Sequence, residues 1–453
     1  MAVVAPFRSL RYDQGKIPDL GRVVTPPFDV ISPEQQEDFY RSDSYNVIRL
    51  ELNRIRETDT DTDNRYTRAA AHLCNWMSRG VLVRDRRPAF YVHETSFTDP
   101  EGQTRVRRGF FNLLKLEEFS SGKVLPHEQT FTGHREDRFH LIKATSTNIS
   151  PIFALYPDEQ NQVQSILDQA RNPLPLADFI DCQGLSQRLF AVDDPDACQK
   201  VQDLMADKVI FIADGHHRYA TGLAFREYQQ QRHPDRGPQA AFNFVLTYLC
   251  SMSDPGLIVL PCHRMLPRFD LFDARDFLLN AQNFFSWQEI PNHAGGGEEE
   301  SRLRLSKALA QASRQGPSFG LVAAGSASHY VLTLKNGAMH DSCFSGVSGP
   351  LQDLDVVVLT NLVLERILGM DNTVRDQIHS IEYVSDLKQV LAKVNTGRAK
   401  LAFLMNPTKV EQVKAVAEAG LVMPRKSTYF YPKVFAGLTM NLVDPLEDIH
   451  IRN

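Results

Sequence analysis

The chain has 453 residues, more than one hydrophobic core usually organises, so we expect two or three domains. Hydrophobic residues make up 42% and charged residues 23% of the chain, proportions typical of soluble globular proteins. The formal net charge of -5 disfavours broad nucleic-acid binding, which usually needs a basic surface.

The six cysteines are scattered and contain no CxxC pair, a pattern that indicates reduced thiols rather than a disulfide framework. The N-terminus has no basic segment followed by an apolar core. No apolar stretch approaches the roughly 18 residues that a membrane helix needs. We therefore expect a cytoplasmic protein without a membrane-spanning segment.

In chain order, the first predicted elements are a strand at 46–52 (NVIRLEL) and a helix at about 66–79. Strands at 89–97 and within 104–118 flank Asp99-Pro100-Glu101-Gly102, which predicts a β-hairpin. Further strands are predicted at 150–158, 208–213, 241–250 and 256–260. After an acidic, Gly-rich linker at 294–300, α/β units follow, with helices at 301–314 and 354–368 and strands at 319–324, 330–334, 381–384 and 401–405.

The most informative stretch is DGHHR, Asp214 to Arg218, which lies between a predicted strand and a predicted helix. Such a turn directs backbone N–H groups and the helix dipole at one point, which attracts anions. Gly215 permits close approach, and Arg218 can clamp phosphate oxygens. His216 and His217 can donate or accept near neutral pH, and Asp214 suits a metal or a hydroxyl proton. This combination suits phosphoryl transfer.

Two other interpretations of the DGHHR turn stay open. Its polar residues are also typical of a solvated helix cap. A metal site built from Asp214, His216 and His217 is the second alternative, although no further His or Cys stands at ligand spacing nearby.

Other polar segments are further candidates. His263-Arg264 follows a predicted strand and either adds to the anion site or has a structural role. In MPRKSTYFYPK (423–433), Lys426, Ser427 and Thr428 supply a cation and two hydroxyls beside aromatic residues. That stretch holds a phosphate and a base, or it is an edge strand with a solvated face. Arg138 contributes local positive charge.

Six motifs, in this order, carry a resemblance over nearly the whole chain: TPPFDV, LPHEQT, NISPIFALY, ADGHHRYATGL, LPCHR and MPRKSTYFYPK. Together they resemble the bacterial and archaeal family named domain of unknown function 1015. That family name carries no activity.

A more distant resemblance comes from PHE, an apolar strand that begins with Pro-Ile, and DGHHR, which are similar to the ParB/sulfiredoxin superfamily and, within it, to free-serine kinases. It implies that the turn from Gly215 to Arg218 holds nucleotide phosphates and that Asp214 lies near the phosphates and Mg. It also implies that Glu128, next to His127, acts on the substrate hydroxyl. Sulfiredoxin has its catalytic Cys where this chain has His216, so sulfiredoxin chemistry is not expected.

These observations predict an α/β (α+β) protein with a ParB/sulfiredoxin-like nucleotide-binding core at 105–265. An N-terminal α/β region at 1–104 and a C-terminal α/β domain at 266–453 flank that core. The predicted function is phosphoryl transfer from ATP or ADP, with Mg, to a small hydroxyl metabolite, free serine first. Glu128 would be the general base, Asp214 and His216 would assist, and Lys426 and Ser427 would close the site.

Two alternatives to a kinase stay open. With water as the acceptor, the same site would hydrolyse a small phosphoester such as phosphoserine. A non-catalytic nucleotide sensor would bind the nucleotide without turnover. The expected partners are therefore a nucleotide and a small molecule, without a membrane and with nucleic acid disfavoured.

Overall fold

The computed structural model describes residues 2–128, 132–267, 269, 272–292, 298–340, 342–347, 349–370 and 380–451. Contacts divide the chain into two units. The first unit contains Met1–Pro126, Thr130–Ile258 and Pro432–Asn453, and the second contains His127–Gln129 and Val259–Tyr431.

A mixed sheet organises the first unit. Its strands are β1 (Val4–Ala5), β4 (Phe90–Thr98), β5 (Thr104–Lys115), β6 (Val124–Leu125), β8 (Ile152–Tyr156), β9 (Ala177–Ile180), β10 (Ser186–Val192), β11 (Ile210–Asp214) and β12 (Phe244–Ser251). The strand order is β6-β11-β8-β12-β5-β4-β10-β9, and β1 also pairs with β5. β11 runs antiparallel to β8 and parallel to β6, while β8 and β12 are parallel. The sheet therefore combines both strand directions.

Helices and two small strand pairs complete the first unit. The helices are α1 (Pro33–Ser42), α2 (Ile48–Glu51), α3 (Arg65–Ser78), α4 (Thr132–Thr145), α5 (Gln162–Ala170), α6 (Pro195–Ala206) and α7 (His216–Arg232). Short 3-10 helices span Leu20–Arg22, Phe28–Val30, Phe119–Ser121 and Ala241–Asn243. β2 (Leu10–Tyr12) pairs with β3 (Leu82–Arg84), and β7 (Thr147–Asn148) pairs with β21 (Asn441–Leu442).

The second unit contains an antiparallel sheet of β14 (His263–Leu266), β15 (Phe285–Pro291), β16 (Ser318–Ala323), β17 (Ser328–Leu334), β18 (Glu382–Val384) and β19 (Leu401–Met405). The order is β15-β17-β16-β19-β14-β18. Its helices are α8 (Ala274–Ala281), α9 (Glu298–Ala312), α10 (Asp355–Val358), a π-helix (Leu359–Ile367), α11 (Leu387–Asn395) and α12 (Val410–Glu418). Short 3-10 helices span Ala338–His340, Ser342–Phe344 and Gly349–Leu351, and β20 spans Tyr429–Tyr431. The first residue of β13 (Ile258–Leu260) belongs to the first unit and its other residues belong to the second.

Local sequence explains the predicted hairpin, which the structure confirms as β4 and β5. The carboxylate of Asp99 accepts hydrogen bonds from the backbone N–H groups of Glu101 and Gln103, at 3.1 and 2.8 Å. Gly102 has φ of 82°, a conformation that glycine adopts without a Cβ clash. The turn residues therefore fix the register of β4 against β5.

The predicted strand at 46–52 is wrong, because the structure forms helix α2 there. The Asn46 side chain accepts a hydrogen bond from the N–H of Ile48 at 2.9 Å, which supports the start of a helical turn. Ile48, Leu50 and Glu51 are all buried. Tertiary burial on one helical turn therefore outweighs the strand preference of the β-branched residues.

The predicted linker also differs at one end. Residues 294–297 lie outside the described residues, while α9 begins at Glu298.

Two apolar clusters form separate cores. One packs Phe90, Phe110 and Ile152 of the large sheet, and the other packs Leu305, Val322 and Leu404 of the second unit. The mixed α/β class is confirmed.

Candidate functional site

The DGHHR turn connects β11 to α7 in the first unit. Asp214 is the last residue of β11, and α7 begins at His216. Gly215 lies between them with φ of 92°. The backbone conformation favours glycine, and a Cβ at Gly215 would lie 2.9 Å from Nε of Arg218, so a larger residue would displace that side chain. The predicted strand, Gly turn and helix are therefore confirmed.

Three charged side chains meet at this turn. Nζ of Lys433 donates to Oδ2 of Asp214 at 3.0 Å, and Nη2 of Arg218 lies 3.6 Å from Oδ1 of the same carboxylate. The side chains of Arg218 and Lys433 are only 9% and 8% exposed. Arg218 also donates to the carbonyl oxygen of Pro151. Two cations thus contact one carboxylate beside the first turn of α7, whose backbone N–H groups carry a partial positive charge.

The two histidines of the turn differ in burial. His216 is 6% exposed and lies on the buried side of α7, as does Tyr219 in the next turn. His217 is half-buried. Both residues are in the first turn of α7, where backbone N–H groups point along the helix axis towards the turn. The predicted phosphate contacts of His216 and His217 remain predictions.

Arg138 belongs to a structural network in the first unit. Its guanidinium donates to Oδ2 of Asp137 at 2.6 Å and to the carbonyl oxygen of Glu51 at 2.8 Å. It also stacks 4.0 Å from the ring centroid of Phe28. Arg138 and Arg218 both line a cavity of about 50 Å³, which has room for water but not for a nucleotide. The contacts of Arg138 thus account for its burial without a ligand.

PHE and the MPRKST segment meet within the second unit. The N–H of Met423 donates to the carbonyl oxygen of His127 at 2.8 Å. Oε1 of Glu128 accepts from the N–H of Lys426 at 3.1 Å, and Nε2 of His127 lies 3.1 Å from Oγ1 of Thr428. These contacts join segments about 300 positions apart, and they fix Glu128 and Lys426 as neighbours.

The backbone at Lys426 is unusual. Its φ is 54°, a left-handed conformation that a lysine adopts at a cost in free energy. The hydroxyl of the buried Ser427 donates to the carbonyl oxygen of Pro424, and the backbone oxygen of Ser427 accepts from Thr408 at 2.6 Å. The hydroxyl of Ser427 thus serves the turn itself, while the predicted phosphate contacts of this segment remain predictions.

His263 and Arg264 lie on β14 of the second unit and are both buried. Nδ1 of His263 accepts from the N–H of Met405 at 3.0 Å, which leaves its proton on Nε2. Burial, helped by Arg264, lowers the pKa of His263 to about 4, so this imidazole is neutral at pH 7. The contacts of His263 favour the structural alternative for this residue.

Two charged residues near these sites were missed by the sequence reasoning. Lys433 is the last residue of the MPRKSTYFYPK segment, and the sequence predicted no role for it. It contacts Asp214, which lies 219 positions earlier in the chain. Asp355 begins α10 and lines a large cavity of the second unit. Its position before the apolar run Val356–Val358 resembles an ordinary helix start, so no local pattern singles it out.

The described residues contain neither a metal-ligand cluster nor a helix suited to span a membrane. Within them, no group of three or more His, Cys, Asp and Glu side chains is arranged to hold a metal ion. None of the helices in those ranges combines the length and apolar character that crossing a bilayer requires.

One protein-family model matches most of the chain. Residues 4–357 match the model of a family described as Protein of unknown function (DUF1015). The chain belongs to this family. The resemblance that the six motifs carry is therefore confirmed for most of the chain.

The chain is also similar to several solved structures. One is a free serine kinase in complex with AMP, with 13% identity and a TM-score of 0.35 over 71% of this chain and 86% of that one. SbnI with a C-terminal truncation, from Staphylococcus aureus, has 10% identity and a TM-score of 0.36 over 75% and 91%. A conserved hypothetical protein from Pyrococcus furiosus has 14% identity and a TM-score of 0.33 over 71% and 90%.

These neighbours include a free serine kinase, the kind of protein that PHE and DGHHR resemble. At such TM-scores the likeness carries no argument about the activity of this chain. No curated protein matches it.

Proposed function

We propose that the protein transfers a phosphoryl group between a nucleotide, ATP or ADP, and the hydroxyl of a small metabolite, with free serine as the first acceptor to test. The observation that carries the proposal is the pair of cations, Arg218 and Lys433, around Asp214 at the start of α7. Nucleotide phosphates carry several negative charges. The turn offers them two cationic side chains, backbone N–H groups and a glycine that allows close approach.

The described residues suit a phosphate better than a metal at this turn. Asp214 supplies one carboxylate, and both of its oxygens already face cationic nitrogen atoms at 3.0 and 3.6 Å. A Mg ion bound beside Asp214 would take most of its ligands from the nucleotide and from water, as Mg commonly does in nucleotide sites. When bound, it would neutralise charge on the phosphates.

In the proposed reaction, the acceptor hydroxyl oxygen bonds to the terminal phosphorus while the bond from that phosphorus to the bridging oxygen breaks. The hydroxyl proton passes to a carboxylate. Glu128 is our candidate for that base, from its match to PHE. Its hydrogen bond from the N–H of Lys426 stabilises the ionised form that a base needs.

Nucleotide binding is tested by isothermal titration of the full chain with ATP and with ADP, with and without Mg. We expect wild type to bind at least one nucleotide and Arg218→Ala to bind it about tenfold or more weakly, because a charge-assisted contact is lost. Lys433→Met should weaken binding similarly. Arg232→Ala changes an exposed arginine at the far end of α7 and should leave affinity unchanged. Absence of nucleotide binding to wild type would overturn the proposal.

Turnover separates a kinase from a sensor. With serine and the bound nucleotide, Glu128→Gln should lower the rate by roughly 10²-fold or more while nucleotide affinity stays the same. A sensor would bind the nucleotide and produce no phosphoserine in either form. Release of inorganic phosphate without an acceptor would instead favour the phosphatase alternative.

A further inference from the structure

A cavity in the second unit has a volume of about 530 Å³, within the range of small-molecule sites. Its lining includes Arg264, Asp355, Asn406, Thr408 and Ser427. These residues belong to the second unit, whereas the DGHHR turn belongs to the first.

Asp355 presents a fixed carboxylate to this cavity. Oδ1 accepts from the N–H of Ser318 at 2.9 Å, and Oδ2 accepts from Nδ2 of Asn406 at 2.7 Å. Both donors are neutral, and no ion pair joins Asp355 to any residue in the described ranges. The two hydrogen bonds therefore orient the carboxylate but leave its charge without an opposite charge in contact.

The surroundings do not offset the cost of that charge. A negative charge at a helix start gains only a small stabilisation from the helix dipole. Burial raises the pKa of Asp355 to about 6 despite the hydrogen bonds from Asn406 and Ser318 and the nearby charge of Lys409. Desolvation is therefore the larger effect, and a cationic group next to Asp355 would be stabilising.

Arg264 presents the opposite charge to the same cavity. It is 4% exposed, and its guanidinium donates to the carbonyl oxygens of Cys262 and, at 3.0 Å, Lys426. Among the residues that the structure describes, no carboxylate pairs with Arg264. Carbonyl oxygens orient a guanidinium without neutralising it, so a ligand carboxylate would satisfy this charge.

The other charged residues of the lining differ from these two. Arg314, Asp353 and Lys409 are exposed, so water solvates their charges. The cavity thus contains one partly buried anion, Asp355, and one buried cation, Arg264, each held in place by neutral groups and neither paired with the other.

We propose that this cavity binds a small metabolite that carries both an ammonium group and a carboxylate, as free α-amino acids do. The ammonium group contacts Asp355 and the carboxylate contacts Arg264. A ligand with only one of these charges would leave the other buried charge uncompensated. This inference does not rest on the proposed phosphate contacts of Arg218 and Lys433.

The test uses ligand-observed NMR of the full chain with L-serine, L-glutamate, L-leucine and L-arginine, each with its N-acetyl and its carboxamide derivative. We expect at least one amino acid to bind, and each derivative to bind about tenfold or more weakly because one charge is removed. Failure of all four amino acids to bind at millimolar concentration, or equal binding of the derivatives, overturns the proposal.

Variants assign each charge to its partner. Asp355→Asn should abolish the difference between the amino acid and its N-acetyl derivative, and Arg264→Met should abolish the difference between the amino acid and its carboxamide. Glu418→Gln, an exposed change on α12, should alter neither. Loss of folding in Arg264→Met would not rescue the proposal, because the derivatives test it on wild type. A parallel titration with ADP keeps the result separate from the nucleotide site.

Discussion

Glu94 in the first unit is buried and Asp355 in the second is partly buried, but Glu94 has cationic partners whereas Asp355 has neutral ones. Glu94 is 2% exposed and pairs with Arg108, Arg171 and Arg188. Among the described residues, Asp355 accepts hydrogen bonds from the backbone N–H of Ser318 and the side-chain amide of Asn406, both of them neutral donors. Burial would raise the pKa of Glu94, but the hydrogen bonds from Arg171 and Arg188 outweigh it, and the pKa is lowered from 4.5.

The comparison distinguishes a charge that the fold itself neutralises from a charge that a bound ligand would neutralise. At Glu94 the chain itself supplies every counter-charge, so the group needs nothing from outside. At Asp355 the chain supplies orientation without a counter-charge. The Asp214 turn is an intermediate case, because two cations contact its carboxylate beside the first turn of α7.

The largest effect is expected for Glu94→Gln. Removing the carboxylate leaves three arginines without their shared partner, which should lower the free energy of unfolding by about 3 kcal/mol, the lower end for a broken buried pair because the arginines are partly exposed. Chemical denaturation of the full chain measures this. Glu447→Gln, which removes a more exposed carboxylate from Arg8 and Arg84, should cost clearly less. Equal losses would contradict the comparison.

Glu94 also predicts a pH dependence. Its pKa is lower in the folded state than its ordinary value of 4.5, so the folded state binds this proton more weakly than the unfolded chain does. The stabilisation from Glu94 is therefore complete above about pH 4.5 and is lost as the pH falls through the folded pKa. Glu94→Gln should show a flatter acid dependence of stability than wild type. Parallel acid profiles would show that Glu94 does not titrate as described.

Asp355→Asn should have the opposite pH signature. The pKa of Asp355 is raised from 3.8 to about 6, so the folded state binds this proton more tightly than the unfolded chain does. Wild type should lose up to about 3 kcal/mol of stability as the pH rises from 4 to 7, and the variant should not. The measurement is the difference in unfolding free energy between the two proteins across that range.

A saturating ligand sharpens this prediction. If an ammonium group binds at Asp355, the wild-type loss between pH 4 and 7 should shrink in its presence, because the bound cation stabilises the ionised carboxylate. If wild type loses no more stability than Asp355→Asn over this range without ligand, Asp355 is compensated, and the contrast with Glu94 fails.

Gly215→Ala tests the intermediate case. Alanine at this position would have to adopt a φ of 92°, and its Cβ would lie 2.9 to 3.0 Å from the guanidinium of Arg218. We expect a loss of about 1–2 kcal/mol in unfolding free energy, together with weaker nucleotide binding as Arg218 is displaced. Gly237→Ala is the matched control, since a Cβ there meets nothing within 4 Å. A variant as stable as wild type, with unchanged nucleotide affinity, would show that the turn does not depend on this glycine.

Local signals predicted the parts of the fold and the site that short segments determine. The hairpin at Asp99 to Gly102 and the turn at Asp214 to Arg218 both depend on residues within one turn of chain. Residues 46–52 were predicted wrongly because burial against distant elements decided their conformation. The intrinsic secondary-structure preference of a short segment does not reflect its burial against distant parts of the fold.

The charges of the candidate sites needed the three-dimensional structure. Lys433 reaches Asp214 across 219 positions, and Lys426 reaches Glu128 across 298. A single sequence contains no local mark of such pairings. Asp355 shows the same limit, because an acidic residue at a helix start is ordinary in sequence. Only the structure shows that it lines a cavity without a basic partner in the described part of the chain.

The smallest effect is expected for Lys426→Gly, and it has the opposite sign. Lysine at φ of 54° is strained, and glycine adopts this conformation freely, so the free energy of unfolding should rise by about 0.5–1 kcal/mol. The hydrogen bond from the backbone N–H to Glu128 does not require a side chain and should persist. Asn161→Gly, at φ of 50°, should change less, since asparagine tolerates this conformation better than lysine.

Nucleotide affinity gives the Lys426→Gly variant its second use. If the Lys426 ammonium group contacts a phosphate, as the sequence predicts, the variant should be more stable than wild type and yet bind nucleotide several-fold more weakly. A more stable variant with unchanged affinity would remove Lys426 from the phosphate site and leave Arg218 and Lys433 as its cations. Lower stability would show that the lysine side chain contributes packing or charge that outweighs the backbone strain, because the substitution removes both together.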